Sequence, residues 1–247
     1  MRHEAPFVAA DLDDLDRLFS SADQVVTMRS VWDGDRGPSV IALRHDVDDN
    51  HGSLDTALEL ARWEHDRGYR STFFLLHGSH YWDGVGEAAM EMVGLGHEVG
   101  LHVNAVAEAL RQRRHDPHAI LVEALDVLRG VVDVVGVVAH GDSLCRGLGG
   151  EVRFCNDEVF AECSRPDLGA ADRSVDGVAI RPRPLSDYGL LYDANWLPRS
   201  TYLSDSGGRW SQPFETVVEG WPFAGQLHML IHPDWWSQAF VPQPVVV

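Results

Sequence analysis

The chain has 247 residues, 45% of them hydrophobic, and a formal net charge of −18. This length and apolar content are enough to fill the core of one α/β domain. The acidic balance argues against a nucleic-acid partner, because a phosphate backbone would be repelled over most of the surface.

Patterns of apolar residues predict an N-terminal helix over 11–19 and a turn over 32–38, so we treat 1–38 as a helix-and-loop segment preceding a main domain, 39–247. The further predicted elements alternate along the chain. Strands are expected at 40–48, 71–76, 98–103, 134–139, 178–181, 189–192 and 226–231, and helices at 53–67 (with Ser53 as N-cap), 87–95 and 105–130, the last interrupted near Pro117.

Strands that are apolar on both faces and alternate with helices indicate a parallel sheet. No G-x-G-x-x-G sequence follows a strand, and a chain without lysine has no lysine-dependent phosphate loop. We therefore predict a single α/β domain with a barrel-like arrangement of parallel strands rather than an open dinucleotide-binding sheet.

Polar residues cluster where these apolar strands end. The first strand ends at Asp46 and Asp48, which alternation places on one face. Three other predicted strands end at His102, His140 and His232. Because the carboxyl ends of parallel strands meet at one side of a barrel, we expect a shared site there.

Asp48, His102 and His140 form a carboxylate and imidazole set suited to Zn²⁺, with Co²⁺, Mn²⁺ or Ni²⁺ as alternatives. Such a metal activates a water molecule. Asp46 would then be the general base, and His232 a general acid or a stabiliser of developing charge. Spacing alone leaves the division of roles between Asp46 and Asp48 open.

His97 and His102 resemble the histidine pair of zinc proteases, but they are five residues apart. On a strand, an odd separation places them on opposite faces. We therefore assign only His102 to the site and expect His97 to pack or cap.

Four other polar or aromatic residues are predicted to contact substrate. Asn104 and Asp142 each follow one of the strand-end histidines, whereas Asp205 and Trp210 lie in a stretch, 202–210, that is expected to be a turn reaching a ligand or covering the barrel mouth.

Cys145, Cys155 and Cys163 lack the close pairing of a structural zinc site, so we expect free thiols. The N-terminus shows no signal peptide, and no apolar run is long enough to span a membrane. These features predict a cytoplasmic protein with no membrane partner, and they leave its oligomeric state open.

In these residues the chain resembles the polysaccharide deacetylase (NodB-homology) superfamily, in particular its members with a His-Asp-Val-Asp signature, over about residues 40–236. The resemblance implies a distorted barrel of about seven β/α units, fewer than the standard eight. It also implies that Asp46 is the base and Asp48 a metal ligand. In Gly-His-Glu-Val-Gly-Leu-His the metal histidine is His102, and Leu-Ile-His supplies the catalytic His232.

Two departures from the family pattern concern the metal site. A second ligand histidine normally lies four residues after the first, where this chain has Val106. The usual arginine-proline motif is replaced by residues 139–142, Ala-His-Gly-Asp. Our hypothesis is that His140 supplies the missing ligand, with Asn104 or Asp49 as alternatives.

The function we predict is metal-dependent hydrolysis of a non-peptide amide bond, such as deacetylation of a small intracellular N-acyl sugar or related metabolite. One alternative is a catalytically silent carbohydrate-binding module on the same fold. Another is a metal-dependent hydrolase of a different bond, such as a cyclic amide or a phosphoester.

Overall fold

A computed structural model describes residues 11–34, 37, 39–50, 52–162, 172–199, 201–220 and 225–240. The chain divides into two compact units. The first comprises Met1–Phe73, Glu91–Glu98 and Pro198–Val247, and the second comprises Phe74–Met90 and Val99–Leu197.

Ten strands are found among the described residues. In chain order they are β1 Gln24–Val26, β2 Ser39–Val47, β3 Thr72–Leu76, β4 Glu98–Val103, β5 Gly136–Ala139, β6 Arg173–Val175, β7 Val178–Ile180, β8 Tyr192–Asp193, β9 Thr201–Ser204 and β10 Gly225–Ile231. Eight of them form one sheet in the order β8-β5-β4-β3-β2-β10-β9, with β1 also paired to β2.

The described part of the chain also contains seven α-helices. They are α1 Leu12–Ser20, α2 Met28–Asp33, α3 Ser53–Asp66, α4 Val85–Gly94, α5 Ala105–Arg111, α6 Pro117–Arg129 and α7 Phe214–Gly220. Parallel strands alternating with helices confirm the predicted α/β fold of the distorted-barrel type. None of the described helices is both long and apolar enough to cross a membrane.

In the first unit, β2 is the central strand, and all nine of its residues are buried. It pairs in parallel with β1 on one side and with β10 on the other. Helix α1 begins with a capping box in which Asp11 accepts from the backbone N–H of Asp14, at 2.9 Å. Leu15, Leu18 and Phe19 of α1 pack into the same core as β2 and β10. The predicted N-terminal segment thus contributes a strand and two helices to this unit.

In the second unit, β4 pairs in parallel with β5, and β5 with β8. Helices α5 and α6 replace the single interrupted helix predicted over 105–130. Pro117 occupies the first turn of α6, where its missing N–H costs no helical hydrogen bond. Strands β6 and β7 form a separate antiparallel pair, so the predicted strand over 178–181 lies outside the parallel sheet.

Two local predictions were wrong. Ser53 is not the N-cap of α3: Gly52 caps it with a positive φ of 81°, and Ser53 is the first helical residue. The stretch 202–210 is not all turn, because β9 occupies Thr201–Ser204 and pairs with β10. Strand β1 was not predicted, since three residues are too few to show a period.

Cys145 and Cys155 are free thiols, as predicted, whereas Cys163 lies outside the described residues. Burial is the main reason that the pKa of Cys145 is raised to about 12. This thiol therefore stays protonated and unreactive near neutral pH.

Candidate metal and catalytic site

The C-terminal end of β2 carries charged side chains on a strand that is otherwise apolar. Arg44 and Asp46 share one face of the strand, and Nε of Arg44 lies 3.5 Å from Oδ1 of Asp46. Both side chains are only 5% exposed, so the guanidinium offsets a carboxylate charge that burial would otherwise disfavour.

The opposite face of β2 is fixed by a buried polar network within the first unit. Nε2 of His45 lies 2.8 Å from Oε1 of Glu64, on α3. Ser71 donates its hydroxyl hydrogen to the other carboxylate oxygen of Glu64, at 2.6 Å. Burial raises the pKa of Glu64, but the charge and hydrogen bond of His45 outweigh it and leave the pKa lowered. This network holds the strand end that presents Asp46.

His97 belongs to that network. Its Nδ1 accepts from the backbone N–H of Ser71, at 3.2 Å, so its Nε2 carries the hydrogen that is donated to the carbonyl of Ala61, at 2.9 Å. Both ring nitrogens are therefore used in hydrogen bonds within the protein. The structure therefore places His97 as a structural residue.

His232 follows β10 and is held by Asp205, the residue that follows β9. Nδ1 of His232 donates to Oδ1 of Asp205 across 2.7 Å, and the backbone N–H of His232 lies 2.9 Å from the same oxygen. Nε1 of Trp236 donates to the other oxygen of Asp205, at 3.0 Å. Asp205, predicted to bind substrate, is fully buried and has no surface to offer one. Asp205 instead accepts hydrogen bonds from the ring and the backbone of His232.

These contacts make His232 a proton donor. Burial lowers its pKa, but the hydrogen bond and charge of Asp205, with the charges of Asp46 and Asp48, outweigh burial and raise the pKa to about 9. His232 is therefore protonated at neutral pH. Because Nδ1 is bound to Asp205, Nε2 is the nitrogen from which a proton can be delivered.

Sequence reasoning missed Asp234, two residues after His232. Its carboxylate accepts from Asn50 and from the hydroxyl of Ser53, at the start of α3. Burial raises the pKa of Asp234 to about 6, with a further contribution from the charge of Asp48. Asp234 thus joins the segment after β10 to the segment after β2. The sequence signal that could have identified Asp234 is its position directly after His232 and Pro233, at the end of a predicted strand.

In the second unit, His102 ends β4 and is 2% exposed. Its Nδ1 lies 3.2 Å from the carbonyl oxygen of Val138 on β5, so Nδ1 carries the hydrogen. A backbone carbonyl that fixes the tautomer of a histidine in this way is the usual support of a metal ligand, and it makes Nε2 the ligand atom. The ring of His140 lies against His102, with centroids 5.0 Å apart.

Asn104 and Asp142, both predicted to bind substrate, are buried and bonded to protein groups. Nδ2 of Asn104 donates to Oδ2 of Asp142 at 3.1 Å, and Arg111 donates to the same oxygen. Desolvation raises the pKa of Asp142, but bonds from Leu144 N–H, Arg111 and Asn104 outweigh it and lower the pKa. Through these bonds, both side chains hold the loop after β5 in position.

Asn156, which the sequence did not single out, is extensively hydrogen-bonded in the second unit. Its Oδ1 accepts from the backbone N–H groups of Val106 and Ala107, at 3.0 and 3.2 Å. Its Nδ2 donates to Oδ1 of Asn104 and to the carbonyl of His140, both at 3.0 Å. Asn156 is fully buried and fixes the backbone of His140 to the first turn of α5.

His102 and His140 offer two imidazoles in the second unit, and Asp48 offers a carboxylate directly after β2 in the first. A carboxylate and two imidazoles are a donor set that fits Zn²⁺ and related divalent cations. Val106, at the position of the absent second histidine, is fully buried in α5. Asn104, the alternative ligand, has its side-chain oxygen bonded to Asn156.

Trp210, the remaining residue predicted to bind substrate, packs against the core of the first unit. Its ring lies 5.2 Å from that of Phe214 and 6.2 Å from that of Trp236, measured between centroids.

Comparison with solved structures finds a family 4 carbohydrate esterase from Bacillus anthracis, with 15% identity, coverage of 92% of this chain and 80% of that one, and a TM-score of 0.37. A CE4 esterase from Streptococcus mutans has 13% identity, coverage of 86% and 79%, and a TM-score of 0.47. The peptidoglycan deacetylase PdaC from Bacillus subtilis, in a mutant form, has 18% identity, coverage of 83% and 78%, and a TM-score of 0.41.

These three proteins belong to the polysaccharide deacetylase superfamily that the motifs of this chain resemble. No family model and no curated protein matches the chain. With TM-scores below 0.5, the likenesses carry no argument about activity.

Proposed function

We propose that this protein is a metal-dependent hydrolase of a non-peptide amide bond and that it deacetylates a small N-acyl sugar or a related metabolite. The observation that carries the proposal is the pair of imidazoles of His102 and His140, with ring centroids 5.0 Å apart, and we propose that the carboxylate of Asp48, after β2, completes the ligand set. Zn²⁺ suits this set best, with Co²⁺, Mn²⁺ and Ni²⁺ as alternatives.

A divalent cation held by these residues would supply an activated water and a polarised acyl carbonyl. Asp46 is the base in this proposal and takes the proton of the attacking water, and its carboxylate is paired with Arg44 at 3.5 Å. His232 is the acid and gives its Nε2 proton to the departing amine nitrogen. Asp205 holds the ring in the tautomer and charge state that this transfer needs.

Neither a nucleic acid nor a membrane is part of this proposal. The net charge of −18 would repel a phosphate backbone over most of the surface.

Acetate release from N-acetylated amino sugars tests the proposal. The protein is stripped with a chelator and then supplied separately with Zn²⁺, Co²⁺, Mn²⁺ and Ni²⁺. We expect activity to disappear and to return with at least one of these metals. Asp46→Asn and His232→Gln should remove turnover from the loaded protein, whereas Asp55→Asn, an exposed carboxylate on α3, should not. Metal binding without turnover on any acylated sugar or small amide would contradict the amidase proposal.

A silent carbohydrate-binding module remains the second candidate, favoured by Val106 in place of the second ligand histidine. Two tryptophans near the strand ends have protein partners: Trp236 donates to Asp205, and Trp210 packs against Phe214. If Asp46→Asn left saccharide binding intact and the original protein showed no turnover with any metal, the module would be the correct reading.

A further inference from the structure

The C-terminal end of α5 carries the densest run of basic residues in a chain that is strongly acidic overall. Arg111, Arg113, Arg114 and His115 lie within five positions. They line a cavity of about 420 Å³ in the second unit, together with Arg153 from the segment before Asn156. No residue of the candidate metal and catalytic site lines this cavity.

The backbone at this point is held in a conformation that arginine rarely adopts. Arg113 has a positive φ of 54°. Its N–H bonds to the carbonyl of Leu110 at 3.3 Å, and the N–H of Arg114 bonds to that of Ala109 at 2.8 Å. These two bonds form a Schellman motif, in which glycine usually occupies the left-handed position. An L side chain there is strained by about 1 kcal/mol, so a backbone preference does not explain why arginine occupies the position.

The guanidinium groups around the cavity retain donors for a ligand. Arg114 is paired with Glu123, and Arg153 with Asp176, through one or two of the several N–H groups that each guanidinium has. Arg113 makes no ion pair within the described part of the chain. Among the described residues that line the cavity, Asp176 is the one carboxylate, against four guanidiniums, of which Arg111 is also paired with Glu108 and Asp142 outside the wall.

We propose that this cavity binds the phosphate group of a small phosphorylated molecule. Guanidinium groups match phosphate oxygens in charge and in donor geometry. The apolar part of the wall, formed by Leu110, Leu144 and Val178, fits the remainder of such a molecule. A volume of about 420 Å³ suits a small molecule, and the net charge of −18 disfavours a nucleic-acid strand as the occupant.

The test is calorimetric titration of the full-length protein with inorganic phosphate and with pyrophosphate at constant ionic strength, with sodium chloride as the reference titrant. We expect saturable binding of one pyrophosphate per chain. Arg113→Gly should weaken it by about tenfold or more, because charged hydrogen bonds are lost. Glycine adopts a positive φ without strain, so this variant folds at least as well as the original protein.

Arg153→Gln should weaken binding as well, whereas Arg17→Ala, an exposed arginine on α1, is the charge-matched control and should bind like the original protein. Arg111 is left unchanged because it also supports Asp142. The proposal is overturned if neither phosphate probe binds saturably, if Arg113→Gly binds with unchanged affinity, or if a short single-stranded oligonucleotide binds this cavity more tightly than pyrophosphate does.

Discussion

His232 donates its Nδ1 hydrogen to the buried carboxylate of Asp205 across 2.7 Å, and this pair follows two neighbouring strands, β10 and β9. Without Asp205, the buried ring of His232 would lose the largest contribution that favours its protonated form. Burial of His232 favours the neutral ring, and the charge of Asp205 reverses that preference and raises the pKa to about 9. The chemistry proposed here depends on this pairing.

The first prediction concerns the pH dependence of activity. Because His232 must be protonated to act as an acid, activity should fall as the pH rises through about 9. In Asp205→Asn the main cause of the raised pKa is removed, so the alkaline limb should move to lower pH. The measurement is the pH profile of kcat/KM for both proteins with metal supplied. An unchanged alkaline limb in Asp205→Asn would show that another group sets it.

The same pair should also stabilise the fold in a pH-dependent way. A raised folded-state pKa means that the stabilisation is fully present below the unfolded value of about 6.5 and is lost as the pH rises through about 9. The free energy of unfolding of the original protein should therefore fall more steeply over this window than that of His232→Gln. Urea denaturation of the metal-free proteins at several pH values measures the difference.

The second prediction concerns the third metal ligand. His140→Ala should weaken Zn²⁺ binding by more than the roughly 10–100-fold that loss of a supporting hydrogen bond typically costs, because a donor atom is removed. Asp49→Asn should bind Zn²⁺ like the original protein. Competition with a chromogenic chelator gives both affinities. If instead Asp49→Asn lost the metal and His140→Ala kept it, the ligand assignment would be wrong.

The third prediction concerns Asn156. Asn156→Ala removes the bonds that hold the carbonyl of His140 and the first turn of α5, so Zn²⁺ affinity should fall by about 10-fold or more. It should also destabilise the protein by about 1–3 kcal/mol, because buried donors and acceptors lose their partners.

Leu190→Ala provides the control for this variant. It opens a cavity at another buried position of the second unit and should cost about 2–5 kcal/mol without changing Zn²⁺ affinity. Equal metal affinities in Asn156→Ala, Leu190→Ala and the original protein would reduce Asn156 to a purely structural role.

The fourth prediction concerns Asp234, which joins the segment after β10 to the start of α3. Asp234→Ala and Asn50→Ala should each destabilise the protein, and the double variant should cost less than the sum of the two. A coupling free energy of about 0.5–3 kcal/mol is expected for residues in one hydrogen-bond network. Urea denaturation of the four proteins measures this coupling, and additive effects would show that the two side chains act independently.

Local sequence patterns were sufficient to predict most of the elements that carry the site. The apolar run before Arg44 predicts β2, and alternation places Asp46 and Asp48 on one face of it. The histidine that ends β4 was recognised in the same way. Both signals depend on neighbours within a few positions, which is the range over which strand periodicity is readable.

Prediction failed where a role depends on a partner distant in the sequence. Asp205 was predicted to lie in a turn and to contact substrate. In the structure it follows β9 and lies beside His232, which is 27 positions further along the chain. Asn156 lies in an irregular stretch with no period, and its partners Asn104 and Val106 are about 50 positions away. Its importance comes from burial together with several hydrogen bonds, neither of which a local pattern encodes.

The sequence by itself determined which residues we propose for the chemistry, because carboxylates and histidines follow apolar strands and the carboxyl ends of the strands of a parallel barrel lie on one side. Only the tertiary structure decided how they are supported: Asp205 sets the charge of His232, Asn156 fixes His140, and Asp234 ties two segments together. The physical reason is that a buried polar group is defined by the partners that satisfy it, and those partners are chosen by the packing of strands and helices rather than by proximity along the chain.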